Sequence, residues 1–269
     1  LYLDARSFRL PGSPIPYTGG LPCPEKVFSS PFLKSVAVLD EGVTERMSQV
    51  VRGRPVIWFP DIADGKLPAG DDPAWGWANK IRAFAQGRPV VCQVGYLQKS
   101  KGVQEFLATA CDPRMKHLAF VVAGTPALHG VGREDLAALK RGWEEAPNLW
   151  AHLQTVPEEA LNALISVSDV VWGAYRDFPN SSNILTKAAL LQRPVIVSDA
   201  FLMGERVRSY SLGETAQEGN VADLVRCLEK MVEPGYAGRW LSRSRHRDYV
   251  TAHSTKALSA AFGTVLNAL

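Results

Sequence analysis

The stretch Asp177-Phe178-Pro179-Asn180-Ser181-Ser182-Asn183-Ile184-Leu185-Thr186-Lys187-Ala188-Ala189-Leu190-Leu191-Gln192-Arg193-Pro194-Val195-Ile196-Val197-Ser198-Asp199 reads as a turn, a helix and a strand in immediate succession. Pro179 and four small polar residues open a segment whose apolar residues recur at helical spacing. Gln192-Arg193-Pro194 stops it, and Val195-Ile196-Val197 follows as a buried strand. Ser181, Ser182 and Asn183 are of the types that cap helices, because their side-chain oxygens accept from first-turn amides that have no partner inside the helix. Where such amides and the positive end of the helix dipole face a crevice, they form a site for phosphate. Taken alone, the segment is an ordinary capped helix of an α/β domain.

Upstream, Pro89-Val90-Val91-Cys92-Gln93-Val94-Gly95-Tyr96-Leu97-Gln98-Lys99-Ser100-Lys101-Gly102-Val103 reads as an apolar strand, a glycine turn and a second helix start. It places Gly95 and Lys101 at the carboxyl end of a parallel strand, where open α/β sheets bind ligands. Further apolar strands are expected at 118–123, 149–153, 168–172 and 194–198, alternating with helices at 101–111, 133–146, 157–167 and 182–192. Continuous apolar strands alternating with helices argue a doubly wound parallel sheet covered on both faces, with the strand at 89–94 central.

The two quoted segments together resemble the C-terminal, donor-binding domain of GT-B glycosyltransferases, in particular the large retaining group 1, or family 4-like, enzymes. These carry a Gly-Arg-x-x-x-x-x-Lys-Gly turn and a later Glu-x7-Glu helix start. The fit runs from about Pro89 to Met231, through Val121-Val122-Ala123-Gly124-Thr125, the 157–167 helix, Ala188 to Asp199 and Leu212-Gly213. The resemblance implies a Rossmann-like GT-B fold and a hexosyltransferase of retaining mechanism. It would move a sugar from a nucleotide-activated donor to an acceptor glycan, lipid or small molecule, in glycan or cell-envelope polysaccharide biosynthesis. It also implies that Gly95, Lys101, Ser181, Ser182, Asn183 and Lys187 hold the donor diphosphate, with neither metal nor other cofactor. No catalytic residue is assigned.

Three departures accompany the match. Tyr96 stands where the family has a diphosphate-gripping Arg, and Pro179 and Lys187 stand at the two Glu positions. Lys187 has two readings, a cation at the donor site or a helical lysine pointing to solvent. The missing acids keep open a second reading of the whole chain, a catalytically silent sugar-nucleotide-binding or scaffold domain. A plain NAD-binding domain is disfavoured, because no Gly-x-Gly-x-x-Gly follows the strand at 89–94.

Ahead of this domain, residues 1–34 are rich in Pro and Gly and read as irregular. A strand–helix–strand unit follows at 36–39, 41–51 and 55–59, which makes 1–60 a remnant of an acceptor-side Rossmann-like domain. Residues 61–73, full of turn formers, read as a linker. The donor-binding domain is then 74–235, entered by a helix at 73–86. After Asp199 the pattern gives a short helix at 204–210, another at 221–231, and two from Gly238 onward. In the family, helices corresponding to 236–269 cross back to the first domain. About 60 residues are too few for a complete first domain, so the resemblance implies an incomplete one.

Of 269 residues, 46% are hydrophobic and 21% charged, enough to bury a large core, and no apolar run approaches bilayer length. The chain begins with Leu1 and shows no secretory signal pattern. Cys23, Cys92, Cys111 and Cys227 lack zinc-type spacing, so a reducing cytoplasm, including the inner membrane face, is the expected location. The net charge of +3 is too small to argue for nucleic acid, which is not expected as a partner, and leaves room for an anionic ligand. Arg239, Arg243, Arg245, His246 and Arg247 form a basic cluster with two readings, a peripheral contact with an anionic membrane surface or phosphorylated lipid, or a solvated face. The five histidines show no metal-ligand spacing.

Overall fold

The computed structural model describes residues 2–3, 28, 30–51, 53–127 and 133–267; most of the segment read as irregular, 4–27, lies outside them. Two parallel sheets organise the described residues. The smaller has the order β1-β2-β3, from Tyr2–Leu3 (β1), Val36–Val38 (β2) and Val56–Trp58 (β3), with Thr44–Val50 (α1) joining the last two. Its apolar residues Val36, Val38, Val43, Met47 and Val51 pack together with Phe28. Tyr2 pairs with Ala37, so the amino-terminal stretch is not wholly irregular. The pairing satisfies backbone groups that β2 would otherwise leave at an edge, which composition does not reveal.

The larger sheet comprises Val90–Val94 (β4), Ala119–Ala123 (β5), Leu149–His152 (β6), Val170–Gly173 (β7), Val195–Ser198 (β8) and Gly213–Ala216 (β9). Its order is β6-β5-β4-β7-β8-β9 and every pairing is parallel. The helices, in chain order, are Trp75–Ala85 (α2), Val103–Cys111 (α3), Arg133–Glu145 (α4), Glu158–Ser166 (α5), Asn183–Leu190 (α6), Phe201–Tyr210 (α7), Val221–Met231 (α8), Tyr236–Arg243 (α9), His246–Ala252 (α10) and Thr255–Asn267 (α11).

Successive strand residues point to opposite faces. Phe120 and Val122 of β5 join a core with α3, α4, α8 and α9, whereas Ala119, Val121 and Ala123 join one with α2, α5, α6, α7 and α10. Both faces are therefore covered, which is why the strands read as continuous apolar runs rather than alternating ones.

Three expectations need correction. The sheet has a sixth strand, β9, whose sequence Gly-Glu-Thr-Ala carries too little apolar character to announce itself. Helix α7 begins at Phe201, ahead of the expected 204. Three helices follow Met231 rather than two, because Ser244 takes an extended conformation that ends α9, and a second break separates α10 from α11.

The segment between β3 and α2 has neither helix nor strand, as its turn formers imply, but it is tied along its length. The Asp61 carbonyl accepts from Thr186 (3.3 Å) and lies 3.1 Å from His253 Nδ1, and the Lys66 carbonyl accepts from Asn162 (2.9 Å). Helix α11 packs on β3, with the Phe262 and Phe59 rings 4.7 Å apart.

Candidate functional site

The order of the larger sheet reverses between β4 and β7. Chains leaving the carboxyl ends of two such strands turn to opposite faces and leave a crevice between them. Here β4 leads to α3 on one face and β7 to α6 on the other, and the two loops meet across the crevice.

Glycine makes that meeting possible. Gly102 has φ +68°, and a Cβ on it would lie 2.1 Å from the Ala174 carbonyl oxygen just after β7. Gly124, at the end of β5, has φ +151°, and a Cβ there would lie 1.7 Å from the Gly95 carbonyl oxygen. Only a residue without a side chain allows such close backbone approach. Gln93, buried within β4, donates from Nε2 to the Lys101 carbonyl at 2.7 Å, and the Arg176 amide donates to the Ser100 carbonyl at 3.0 Å. The turn bearing Lys101 is thus held from both strands.

From this turn the Lys101 ammonium reaches the start of α6. Nζ donates to Ser182 Oγ at 3.4 Å and lies 4.1 Å from the Tyr175 ring centre and 4.7 Å from that of Phe178. Aromatic faces hold a cation without neutralising it. Among the described residues no carboxylate lies within ion-pair distance of Lys101, so its full charge stays at the helix amino end.

Ser182 occupies the N-cap position of α6 in an extended conformation, yet its hydroxyl makes no capping bond. Expectation and structure differ here because cations draw the two serine hydroxyls away: Lys101 takes Ser182, and Arg206 takes Ser181. The first-turn amides of α6 are left without a side-chain cap, and Asn183 is exposed at the first helical position.

Lys187 does not point to solvent, the second of its two readings. It is 4% exposed, and its ammonium donates to the Asp64 carbonyl (2.8 Å), to Asn162 Oδ1 (2.8 Å) and, in a close contact, to Glu158. All three of its protons are taken by protein acceptors. These bonds run from α6 to α5 and to the 61–73 segment, so the charge there fastens three elements together.

Two features escaped the sequence reading. Gln93 was visible as a polar residue in an apolar strand. Arg206 sits three and four residues after Met203 and Leu202, on the buried stripe of α7, and a charge on an apolar stripe is the corresponding signal. Arg206 is 2% exposed and donates to Glu41 at 2.6 and 2.9 Å, to the Leu39 carbonyl at 3.0 Å, to Asp61 at 3.3 Å and to Ser181. It joins the smaller sheet, the 61–73 segment and the start of α6. Burial raises the cost of ionising Glu41, but the Arg206 bonds and charge more than offset it and hold the Glu41 carboxyl below its usual pKa.

No protein-family model matches the chain, and no curated protein matches it. Solved structures do. The Anabaena protein HepE, in complex with UDP and glucose, superposes with a TM-score of 0.68 at 15% identity, over 88% of this chain and 64% of that one. The fold is that of the GT-B glycosyltransferases. Sucrose-phosphate synthase from Thermosynechococcus elongatus gives a TM-score of 0.66 at 16% identity, over 91% of this chain and 60% of that one. A glycosyltransferase from Rickettsia africae gives 0.66 at 14% identity, over 93% and 67%. The chain therefore spans 60–67% of the length of these structures.

Among the described residues, no group of three or more His, Cys, Asp or Glu is arranged to hold a metal ion, and no helix is long and apolar enough to cross a membrane.

Proposed function

We propose that this chain carries the donor site of a nucleotide-sugar-dependent glycosyltransferase, with the diphosphate seated between Lys101 and the amino end of α6. One observation carries the reading: an unneutralised lysine, fixed by two aromatic faces, stands at an uncapped helix start at the switch point of a doubly wound sheet. Amides, dipole and ammonium there all favour the same charge. As the bond from sugar to phosphate breaks, negative charge builds on the departing diphosphate. Preorganised donors at Lys101, Ser182 and the α6 amides would stabilise it, and Gly95 lets the backbone approach closely.

Ser181 acts at one remove, through Arg206, and Lys187 is left out of the donor contacts. UDP and glucose are proposed as the first nucleotide and sugar to try, since HepE was solved with UDP and glucose and with UDP-glucose. A hexose is then transferred with retention of configuration, by analogy with the family that the sequence resembles, and no cofactor is invoked. The absent carboxylates at Pro179 and Lys187 bear on turnover rather than on diphosphate binding.

The test is incubation of the protein with UDP-glucose and a panel of glycan, lipid and small-molecule acceptors, following UDP release and the anomeric configuration of the product. Transfer with retention supports the reading in full. Stabilisation by UDP in thermal melts without transfer to any acceptor would instead favour a silent nucleotide-sugar-binding domain.

A further inference from the structure

A second concave site lies at the opposite end of the larger sheet from the crevice. Its walls come from the last turns of α7 and α8, the first two residues of β9, and α9, and helices flanking a parallel sheet run against the strands, so their carboxyl ends collect at the strands' amino ends. The cavity measures about 300 Å³, at the lower end of the roughly 300–1,000 Å³ typical of ligand pockets. Arg208, Lys230, Arg239 and Arg243 line it against Glu214 and Glu233, four cations to two carboxylates, a surplus of two positive charges.

That surplus is not consumed within the protein. Lys230 lies 2.8 Å from Glu214, and Arg239 lies 3.6 Å from Glu233 at the surface and donates to the Pro234 carbonyl at 3.2 Å. Arg208 donates one bond, to the Asp199 carbonyl at 2.8 Å, and meets no carboxylate. The Arg243 guanidinium has no protein acceptor among the described residues. Beneath the charges lie two rings whose polar atoms are already satisfied: Tyr236 donates to Glu214 at 3.0 Å, and Trp240 donates to the Ser211 carbonyl at 3.0 Å. The floor is therefore apolar toward a ligand while the rim is cationic.

We propose that this cavity binds a phosphomonoester, with the phosphate held by Arg208 and Arg243 and the attached group resting on Tyr236 and Trp240. A phosphomonoester carries about −1.5 to −2 charge at neutral pH, which matches the surplus, and guanidinium pairs with phosphate bidentately. The same chemistry is offered by a free sugar phosphate and by a phosphorylated lipid headgroup. The site is separate from the donor crevice and does not depend on what that crevice binds.

Calorimetric titration with glucose 6-phosphate, inorganic phosphate and glucose tests the proposal, using the wild type, the double variant Arg208→Gln/Arg243→Gln and the single variant Lys101→Ala. Both arginines are exposed, and the melting curve of the double variant checks that its fold is retained. Glucose 6-phosphate should bind, glucose should not, the double variant should lose about tenfold or more in affinity, and Lys101→Ala should leave binding unchanged. Co-sedimentation with phosphatidylcholine vesicles, with and without phosphatidic acid, identifies a lipid headgroup as the source if only the doped vesicles retain the wild type and the double variant is released. Three results would overturn the proposal: no binding of either phosphomonoester, binding abolished by Lys101→Ala but not by the double variant, or a double variant that is destabilised with affinity unchanged. The last would mean that the arginines only complement the helix carboxyl ends.

Discussion

Lys101 reaches the start of α6 and Lys187 stands on that helix, but their surroundings differ. Lys101 rests on two aromatic faces and a hydroxyl and keeps its charge available, whereas Lys187 spends its charge on Glu158, Asn162 and the Asp64 carbonyl. Replacing Lys187 by Met should cost about 2 to 3 kcal/mol of stability in urea unfolding, the range for losing charge-assisted bonds among buried partners, and leave UDP affinity unchanged. A loss of UDP affinity in a folded Lys187→Met protein would return this residue to the donor site. The sequence could not separate the two lysines. Residue type and spacing specify which helix a lysine stands on, but its partners come from α5 and a segment more than 120 residues earlier, and those meet only in the folded chain. The glycines were more legible, since Gly95 and Gly124 directly follow apolar strands and Gly102 directly precedes a helix.

At the scale of elements, the strand and helix pattern from β4 to α6 was readable because strands buried on both faces must be apolar throughout. Strand β9 was not, because an edge strand with three half-buried residues needs no such composition. The contact that builds the crevice, between the turn after β4 and the chain after β7, rests on Gly102. An alanine there would face both a left-handed backbone conformation and a carbonyl oxygen 2.1 Å away. Gly102→Ala should therefore destabilise the protein by roughly 2 to 3 kcal/mol and displace Lys101. Urea unfolding and UDP titration of the variant should both register the change. Wild-type stability together with wild-type UDP affinity would show that the two loops are not braced against each other there.

For the whole molecule, the joint between the two sheets is the part least visible in the sequence. Arg206 holds Glu41 and Asp61, while His253 stacks on Tyr249 at 4.0 Å and meets the Trp58 ring edge at 5.2 Å. Burial, helped by the nearby Arg206 charge, pushes His253 down from the usual 6.5 to about 4. The unfolded chain thus takes up a proton on this histidine at a higher pH than the folded one does. Its contribution is fully present above about pH 6.5 and is lost as pH falls toward 4, by roughly 2 to 3 kcal/mol in all. Urea midpoints at about pH 7 and pH 5 should show a steeper acid loss for the wild type than for His253→Gln. Equal losses would mean that the histidine is not shielded at the joint.

The central claim is that Lys101 and the start of α6 together receive a diphosphate. Isothermal titration of wild type and Lys101→Ala with UDP and with uridine tests it most directly. The variant should lose about 1.5 to 3 kcal/mol of UDP affinity while uridine affinity stays the same, because only UDP carries the charge that the ammonium meets. Equal losses for both ligands, or no binding of UDP, GDP or ADP to the wild type, would contradict it.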